Sequence, residues 1–153
     1  MQITSRYTVA LHIFTGVQVF GDTRKVTSDF LAESINTNPV IVRRILTQLK
    51  NAGLITVARG TGGITVTRPV SDITFCDVYR AVDPVENGDL FHLHESPNPE
   101  CPVGRNIHAL LDARLRAAQN AMEDELRRHT IQELHIAAAE LISQEQRKNS
   151  DKG

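Results

Sequence analysis

An amphipathic helical pattern over residues 38–52 leads directly into a β-hairpin pattern, and this order restricts the fold more than any other feature of the chain. Asn38 precedes Pro39. Because Asn can accept free backbone N–H groups and Pro suits the first helical position, the pair predicts a helix start. Gly53 is a typical C-terminal stop, so the helix should end near Ala52.

The predicted hairpin consists of two β-branched segments, 54–59 and 64–68, on either side of Gly60-Thr61-Gly62-Gly63. Such segments around a short glycine-rich turn are typical of two antiparallel strands. A phosphate-binding loop would need a Gly-Lys-Ser/Thr ending before a helix. β-Branched residues follow here instead, so nucleotide binding is not expected.

Two helices are predicted before residue 38. Apolar residues recur every three or four positions over residues 3–20, and a short helix follows that is capped by Thr27 or Ser28. Asn36-Thr37 forms a tight break before the next helix. Helix, helix, turn, helix and hairpin is the element order of a winged helix-turn-helix. The expected fold class is mainly α with a small β-hairpin wing.

The second half of the chain is predicted to be helical around one irregular segment. Ser71 is expected to cap a helix from Ile73 to about Val82, and the acidic residues 83–100 form a loop or effector region. A long helix from Pro102 to about Arg128 follows. Its apolar residues recur with nearly coiled-coil spacing, and those predicted to mediate dimerisation are Ile107, Leu111, Leu115, Ala118 and Met122.

A last helix is predicted after Thr130, which with Glu133 has the spacing of a capping box. These patterns divide the chain into three parts. Residues 1–82 are the winged helix-turn-helix, residues 83–100 the loop, and residues 101–149 the dimerisation helices.

The helix after Asn38 has one face suited to DNA. Its core face is predicted to carry Val42, Ile45, Leu46 and Leu49. The predicted DNA-binding residues lie on the opposite face, at the helix start and in the wing: Asn38, Pro39, Val40, Arg43, Arg44, Thr47, Arg59, Gly60, Thr61 and Gly62. Arginine pairs bidentately with guanine or holds phosphate, and glycines let the backbone approach a nucleic acid closely.

Charge is distributed unevenly along the 153 residues. The first 70 contain eight Lys/Arg and three Asp/Glu, and the remainder contain nine and fifteen, so a basic half precedes an acidic one. A basic segment is the electrostatic footprint of phosphate contact. No stretch has the length and hydropathy of a membrane helix, and the first residues lack a signal-peptide layout, so we expect a cytoplasmic protein without membrane contact.

Two other function classes compete with DNA binding. An enzyme would need a nucleophile–base pair or clustered carboxylates, and the acidic residues here are scattered without catalytic spacing, so no catalytic residue is predicted. The alternative is a helical protein-interaction module that uses its winged helix for protein contact. Replacing Arg43, Arg44 and Arg59 distinguishes these alternatives, because only a DNA-binding regulator would lose affinity for DNA.

Five segments together resemble the Rrf2 family of bacterial winged helix-turn-helix regulators, which includes IscR-, NsrR- and CymR-like members. They are Arg6–Leu11, Leu46–Ile55, Arg59–Gly63, Ser71–Val82 and Cys101–Ile107. The resemblance implies a homodimer joined by the long helix that binds a palindromic operator in double-stranded DNA, as a repressor. It places Arg59 at the position of a wing arginine that reaches the minor groove, and Asn38, Val40 and Arg43 at base-reading positions.

The resemblance extends to the loop before the long helix, where many relatives hold an iron–sulfur cluster with three cysteines. Cys101 matches the last of them, but residues near Glu95 and Asp89 are not cysteine. We therefore expect a branch of the family without that motif, with no cofactor and no metal.

The remaining candidates for signal sensing are weak in sequence. Cys101 is the redox candidate, because a thiol close to a helix N-terminus has a lowered pKa. Cys76 lies in an amphipathic helix and should be buried and inert. A transition-metal site built from His92, His94, Cys101 and His108 is the less favoured interpretation. A redox signal, a small molecule and a partner protein at the loop–helix junction all stay open.

Overall fold

The computed structural model of the chain describes residues 3–60, 63–83 and 88–152. The described part is mainly helical, with a single two-stranded antiparallel sheet. In chain order the elements are α1 (Ser5–Phe20), α2 (Ser28–Ile35), α3 (Pro39–Asn51), β1 (Ile55–Val57), β2 (Ile64–Val66), a 3-10 turn (Val70–Asp72), α4 (Phe75–Val82), α5 (Ile107–Arg128) and α6 (Ile131–Ser150). None of the described helices is long and apolar enough to cross a membrane. The predicted fold class is confirmed.

The capping residues account for the ends of α2 and α3. The Thr27 hydroxyl accepts the backbone N–H of Phe30 at 3.2 Å, so Thr27 and not Ser28 is the cap. Asn36 adopts a left-handed conformation with φ 58°, which Asn tolerates better than most residues. Gly53 ends the turn after α3 with φ 74°, a conformation that favours glycine.

The core forms where α1, α2, α3 and α4 meet under the sheet. The predicted inner face of α3 is confirmed, since Val42, Ile45, Leu46 and Leu49 are all buried. Helices α1 and α2 approach so closely that a Cβ on Gly16 would lie 2.9 Å from Leu31 Cδ2. A larger residue at position 16 would therefore require the buried Leu31 side chain to shift.

The hairpin is the wing of the fold. Its register pairs Ile55 with Val66 and Val57 with Ile64, so the strands are shorter than the predicted segments. Ile64 also donates its backbone N–H to the Val26 carbonyl at 3.1 Å. Because Ile64 and Val26 are both buried, this contact fixes the base of the wing against the segment that precedes α2.

Helix α4 begins later than expected, and Ser71 does not cap it. The Thr74 hydroxyl and the Asp77 carboxylate form a reciprocal capping box, so α4 starts at Phe75. Ile73 is extended because its carbonyl accepts the backbone N–H of Ile131 at 2.9 Å. Because its carbonyl is hydrogen-bonded to a distant segment, Ile73 does not take part in the first turn of α4.

The long helix α5 also begins later than expected, at Ile107 instead of Pro102. The preceding residues form turns, in which Cys101 donates its N–H to the Asn98 carbonyl at 3.2 Å. The Asn106 side chain donates to the Pro102 carbonyl at 2.7 Å. Gly104 lies so close to the Asn98 carbonyl that a Cβ there would clash at 2.3 Å. These local hydrogen bonds replace the first predicted turn of the helix.

Helix α6 returns to the N-terminal half of the chain. Its first residue, Ile131, is fully buried in the core, and α6 packs along α1. The Thr130 hydroxyl caps the helix by accepting the Glu133 N–H at 3.3 Å. The Glu133 carboxylate does not complete the predicted box, because it lies 3.3 Å from Nδ1 of His129.

Candidate nucleic-acid interface

The outer face of α3 is exposed as predicted. Arg43, Arg44 and Thr47 are exposed there, and Val40 retains 49% of its accessible surface. The opposite face is buried in the core, so the helix presents its polar face outward on a rigid support. An exposed helix face with two arginines has the chemistry to contact base edges and phosphates in a major groove.

The start of α3 is held by Asn38. Its side-chain oxygen accepts the backbone N–H of Val40 at 2.9 Å, so this atom is already engaged as a cap. Ile41 donates its backbone N–H to the Asn38 carbonyl at 3.0 Å, so it is the Asn38 side-chain amide that can still approach a phosphate. Pro39 is half-buried, while Ile41 beside it is 43% exposed. The exposed apolar pair Val40 and Ile41 could contact a thymine methyl group.

A groove of about 620 Å³ separates α3 from the wing and brings several predicted residues together. Arg43 and Thr47 line one wall and Gly60 lines the other. Asn38, Val40 and Arg44 are not among the described residues that line it. Within the groove, Thr47 donates its hydroxyl to the Arg43 carbonyl at 2.9 Å, so its hydroxyl hydrogen is already engaged.

Two charged groove residues were missed by sequence reasoning. Lys50 lines the groove seven positions after Arg43, which is two helical turns, so extending the helical periodicity by one step would have included it. Asp29 lines the groove from α2 and forms an ion pair with Arg43, with Oδ1 at 3.0 Å from Nη2. No sequence signal connects these two positions, because the pair depends on how α2 packs against α3.

The wing carries its predicted cation at the tip. Arg59 is exposed, and within the described part of the chain it has no ion-pair partner. Gly60 follows with φ 79°, a conformation that requires glycine or strains other residues. Ala58 donates its N–H to the Gly63 carbonyl at 3.0 Å and closes the hairpin. The predicted contacts Thr61 and Gly62 lie outside the described residues.

The two cysteines lie in different environments. Cys101 is exposed, and backbone N–H groups of Gly104 and Val103 lower the pKa of its thiol. The lowering therefore comes from the turn, and not from the helix N-terminus, which lies six residues further on. Cys76 is buried as expected, and burial raises the pKa of its thiol despite the positive charges of Arg80 and Arg127.

The predicted dimerisation residues lie along one face of α5 but differ in their surroundings. Ile107, Leu111 and Leu115 are half-buried and Ala118 is exposed. Leu115 lines a small pocket with the loop residue Phe91. Met122 packs against the core of its own chain, so its contact with a partner stays a prediction. Leu110, on another face of the same helix, is 50% exposed.

Comparison with known proteins places this architecture among transcription regulators. YwnA of Bacillus subtilis, classed as an HTH-type transcriptional regulator, is 43% identical over 124 residues, which cover 81% of this chain and 90% of YwnA. A transcriptional regulator from Lactobacillus plantarum superposes with a TM-score of 0.74 at 24% identity, covering 94% of this chain and 98% of that one.

A second solved structure, CymR (YrzC), the global cysteine regulator of B. subtilis, superposes with a TM-score of 0.65 at 19% identity. The match covers 90% of this chain and 98% of CymR. Residues 3–136 match the model of the Rrf2 family, which is described as iron-dependent transcriptional regulator. The chain is therefore a member of the Rrf2 family of DNA-binding transcriptional regulators.

Proposed function

We propose that this protein is a homodimeric repressor that binds a palindromic operator with α3 in the major groove and the wing arginine Arg59 in the minor groove. The observation that carries the proposal is the groove in which Arg43, Thr47 and Lys50 of α3 face the wing residue Gly60. A duplex seated on α3 would place its backbone along this groove, where Lys50 can neutralise a phosphate.

The proposal assigns different tasks to the basic residues. Arg43 and Arg44 lie in the first half of α3, the part of a recognition helix that contacts base edges. Lys50 in the last turn and the side-chain amide of Asn38 hold phosphate and set the register of the protein on DNA. Arg59 at the wing reads the width of the adjacent minor groove, which attracts arginine where it is narrow.

A homodimer explains why a helix as long as α5 projects from a small DNA-binding unit. Its 22 residues span about 33 Å. We propose that the first half of α5, with Ile107, Leu111, Leu115 and Ala118, pairs with a second copy. Met122 and Leu126 further along are already covered by the core of their own chain. Twofold symmetry then dictates a palindromic operator.

An iron–sulfur cluster is not part of the proposal, although the family description refers to iron. The chain has two cysteines, and a three-cysteine cluster needs a third thiolate. Cys76 is buried in α4 while Cys101 is exposed in the loop. No three His, Cys, Asp or Glu side chains converge as a metal site within residues 3–60, 63–83 and 88–152. The donor set present does not fit a cluster of that type.

The signal that releases DNA is proposed to act at the segment before α5, in the cytoplasm where the operator lies. Cys101 supplies a redox route, because an exposed thiol whose pKa is lowered is the form that oxidants attack. A small molecule or a partner protein at the same segment is the other route. Replacing Cys101 by Ser separates them, since only the redox route is lost.

The test begins with selection of bound sequences from a pool of random duplexes by the full-length protein. We expect a palindromic site whose two halves are about one helical turn apart. Binding of this site by Arg43→Ala, Arg44→Ala and Arg59→Ala should be weaker, and the slope of log K against log salt should fall by about one per variant.

Arg147→Ala in α6 is the matched control, because it removes one positive charge far along the chain from α3 and the wing. Sedimentation at micromolar concentration should give a dimer. The DNA-binding assignment of these arginines is wrong if all three variants bind like the control. A failure to select any duplex, with specific capture of another protein by the same surface, would favour the protein-interaction alternative.

A further inference from the structure

A chain of hydrogen bonds links the loop before α5 to α4 through the middle of α5. Gln119 accepts the backbone N–H of Leu90 at 2.8 Å and donates to the Gly88 carbonyl at 2.7 Å. The same amide donates to Oε1 of Glu123 at 3.2 Å. Oε2 of Glu123 accepts from Arg80 of α4 at 2.5 Å. One side of Glu123 thus contacts the loop through Gln119, and the other contacts α4 directly.

Glu123 is shielded from solvent, so its ion pair matters to the structure. It is 8% exposed, and it is the one charged residue in the buried class among the residues that the structure describes. Burial alone would raise its pKa, but hydrogen bonds from Arg80 and Gln119, and the charge of Arg127, hold the pKa below its ordinary value. The carboxylate is therefore ionised, and removing a partner would leave a poorly solvated charge.

Helix α4 is in turn packed against the recognition helix. α3 and α4 are neighbours in the core, where Val78, Tyr79 and Val82 are buried. The side chain of Gln48 in α3 points its amide at the Val82 carbonyl, at 3.4 Å. A displacement of α4 along α5 would therefore be passed on to α3, because packed side chains transmit strain instead of absorbing it.

We propose that Glu123 is a positioning residue for DNA binding, through which the loop segment 88–90 controls the placement of α4, and with it α3, on the operator. This inference rests on the proposed function, and it adds the residues that connect the signalling segment with the DNA-binding surface. A signal that moves the loop withdraws Gln119 from Glu123. Arg80 then pairs with a carboxylate that is steadied only by Arg127 of the same helix, at 3.1 Å, and α4 is held less firmly in one position on α5.

The loop end of this chain of contacts borders a pocket of about 190 Å³ between the loop and α5. Gln119 lines it together with Phe91 and Leu115. A change in the loop therefore reaches the Gln119 amide directly. The pairing of Arg116 with Asp112 at 3.1 Å lies on the same stretch of α5 but involves neither Glu123 nor α4.

The experiment is a set of mutant cycles on the full-length dimer with the duplex selected by the wild-type protein. Gln119 and Arg80 contact different oxygens of Glu123. The effects of Gln119→Ala and Arg80→Ala on affinity should therefore multiply if no residue couples the two positions. We expect the double variant to deviate from the product of the single effects by about threefold or more. In a Glu123→Ala background the deviation should disappear.

Arg128→Ala replaces Arg80→Ala in the control cycle, because Arg128 also pairs with an acid on α5 but is exposed and does not contact Glu123. Its combination with Gln119→Ala should follow the product rule. Where Glu123→Ala lowers stability too far, Glu123→Gln keeps the shape and removes only the charge. If the effects of Gln119→Ala and Arg80→Ala on affinity multiply in the protein that retains the wild-type Glu123, the proposal is overturned.

A readout without DNA separates this inference from the proposed function. Gln119→Ala should speed amide hydrogen exchange in residues 75–82 at least severalfold, because Glu123 loses one of the hydrogen bonds that orient it toward Arg80 of α4. Arg128→Ala should leave these amides unchanged. If the protein binds no duplex, the proposed function fails and exchange alone decides the inference. Unchanged exchange in α4 upon Gln119→Ala then overturns it.

Discussion

Arg43 and Asp29 form an ion pair, with 3.0 Å between Nη2 and Oδ1, across the gap between the recognition helix and the helix before it. Both side chains remain largely exposed, at 57% and 72%. The residue predicted to read DNA is thus held by an acid that phosphates would repel. Asp29 restrains Arg43 in the free protein and opposes the approach of the duplex.

Asp29→Asn should strengthen operator binding by about two- to fivefold at low salt, since exposed ion pairs are worth about 0.2–1 kcal/mol. The gain should shrink as salt screens the charges. Fluorescence anisotropy across a salt series measures both effects. Glu33→Gln is the control, because it removes an acid from the same helix without touching Arg43. Equal gains in both variants would show that net charge, and not the ion pair, is responsible.

Ile131→Ala should lower the free energy of unfolding by about 2–5 kcal/mol, because it opens a cavity in a fully buried site. Leu141→Ala in the same helix should change it by less than about 0.5 kcal/mol, since Leu141 is 61% exposed. Urea denaturation at fixed protein concentration compares the two. A loss at Leu141 as large as that at Ile131 would mean that Leu141 is covered in the assembled protein.

His129 should titrate above its ordinary value of 6.5, because hydrogen bonds to Glu125 and Glu133 raise its pKa. The stabilisation from the charged ring is fully present below pH 6.5 and is lost as the pH rises through the raised pKa. Imidazole NMR resonances report the midpoint. In the double variant Glu125→Gln, Glu133→Gln it should fall back toward 6.5. A wild-type midpoint at or below 6.5 would contradict the structure.

Cys101 should react with iodoacetamide well before Cys76 in the folded protein. Its thiol is exposed and its pKa is lowered by backbone N–H groups, whereas burial raises the pKa of Cys76. Mass spectrometry of time points should show one fast site, which Cys101→Ser removes. Cys76 should react only after denaturant is added. Comparable rates in the native state would disprove this assignment of the two thiols.

Short-range chemistry made much of the fold predictable. Asn38-Pro39 specified the start of α3, Asn36 the break before it, and Gly53 its end, because each acts through the backbone of its immediate neighbours. The apolar spacing of α3 likewise indicated which face is buried. These signals need no knowledge of what packs against the helix.

The features that were not predicted depend on distant partners. Ile73 was predicted to be helical but is extended, because its carbonyl accepts the backbone N–H of Ile131, far along the chain. The predicted start of α5 at Pro102 was wrong because Asn98 and Asn106 satisfy the backbone locally. The ion pairs Arg43–Asp29 and Arg80–Glu123 join residues on separate helices. No periodicity in the sequence encodes which helices become neighbours.

The burial of Ile131 has a practical consequence for dissecting the protein. The DNA-binding unit is discontinuous in the chain, since it closes only when the beginning of α6 returns to seal it. A fragment that ends at Val82 would expose an apolar opening where Ile131 belongs, and would leave the backbone N–H of Phe75 without the His129 carbonyl. Weak DNA binding by such a fragment would reflect its incomplete core and would carry no information about the intact regulator.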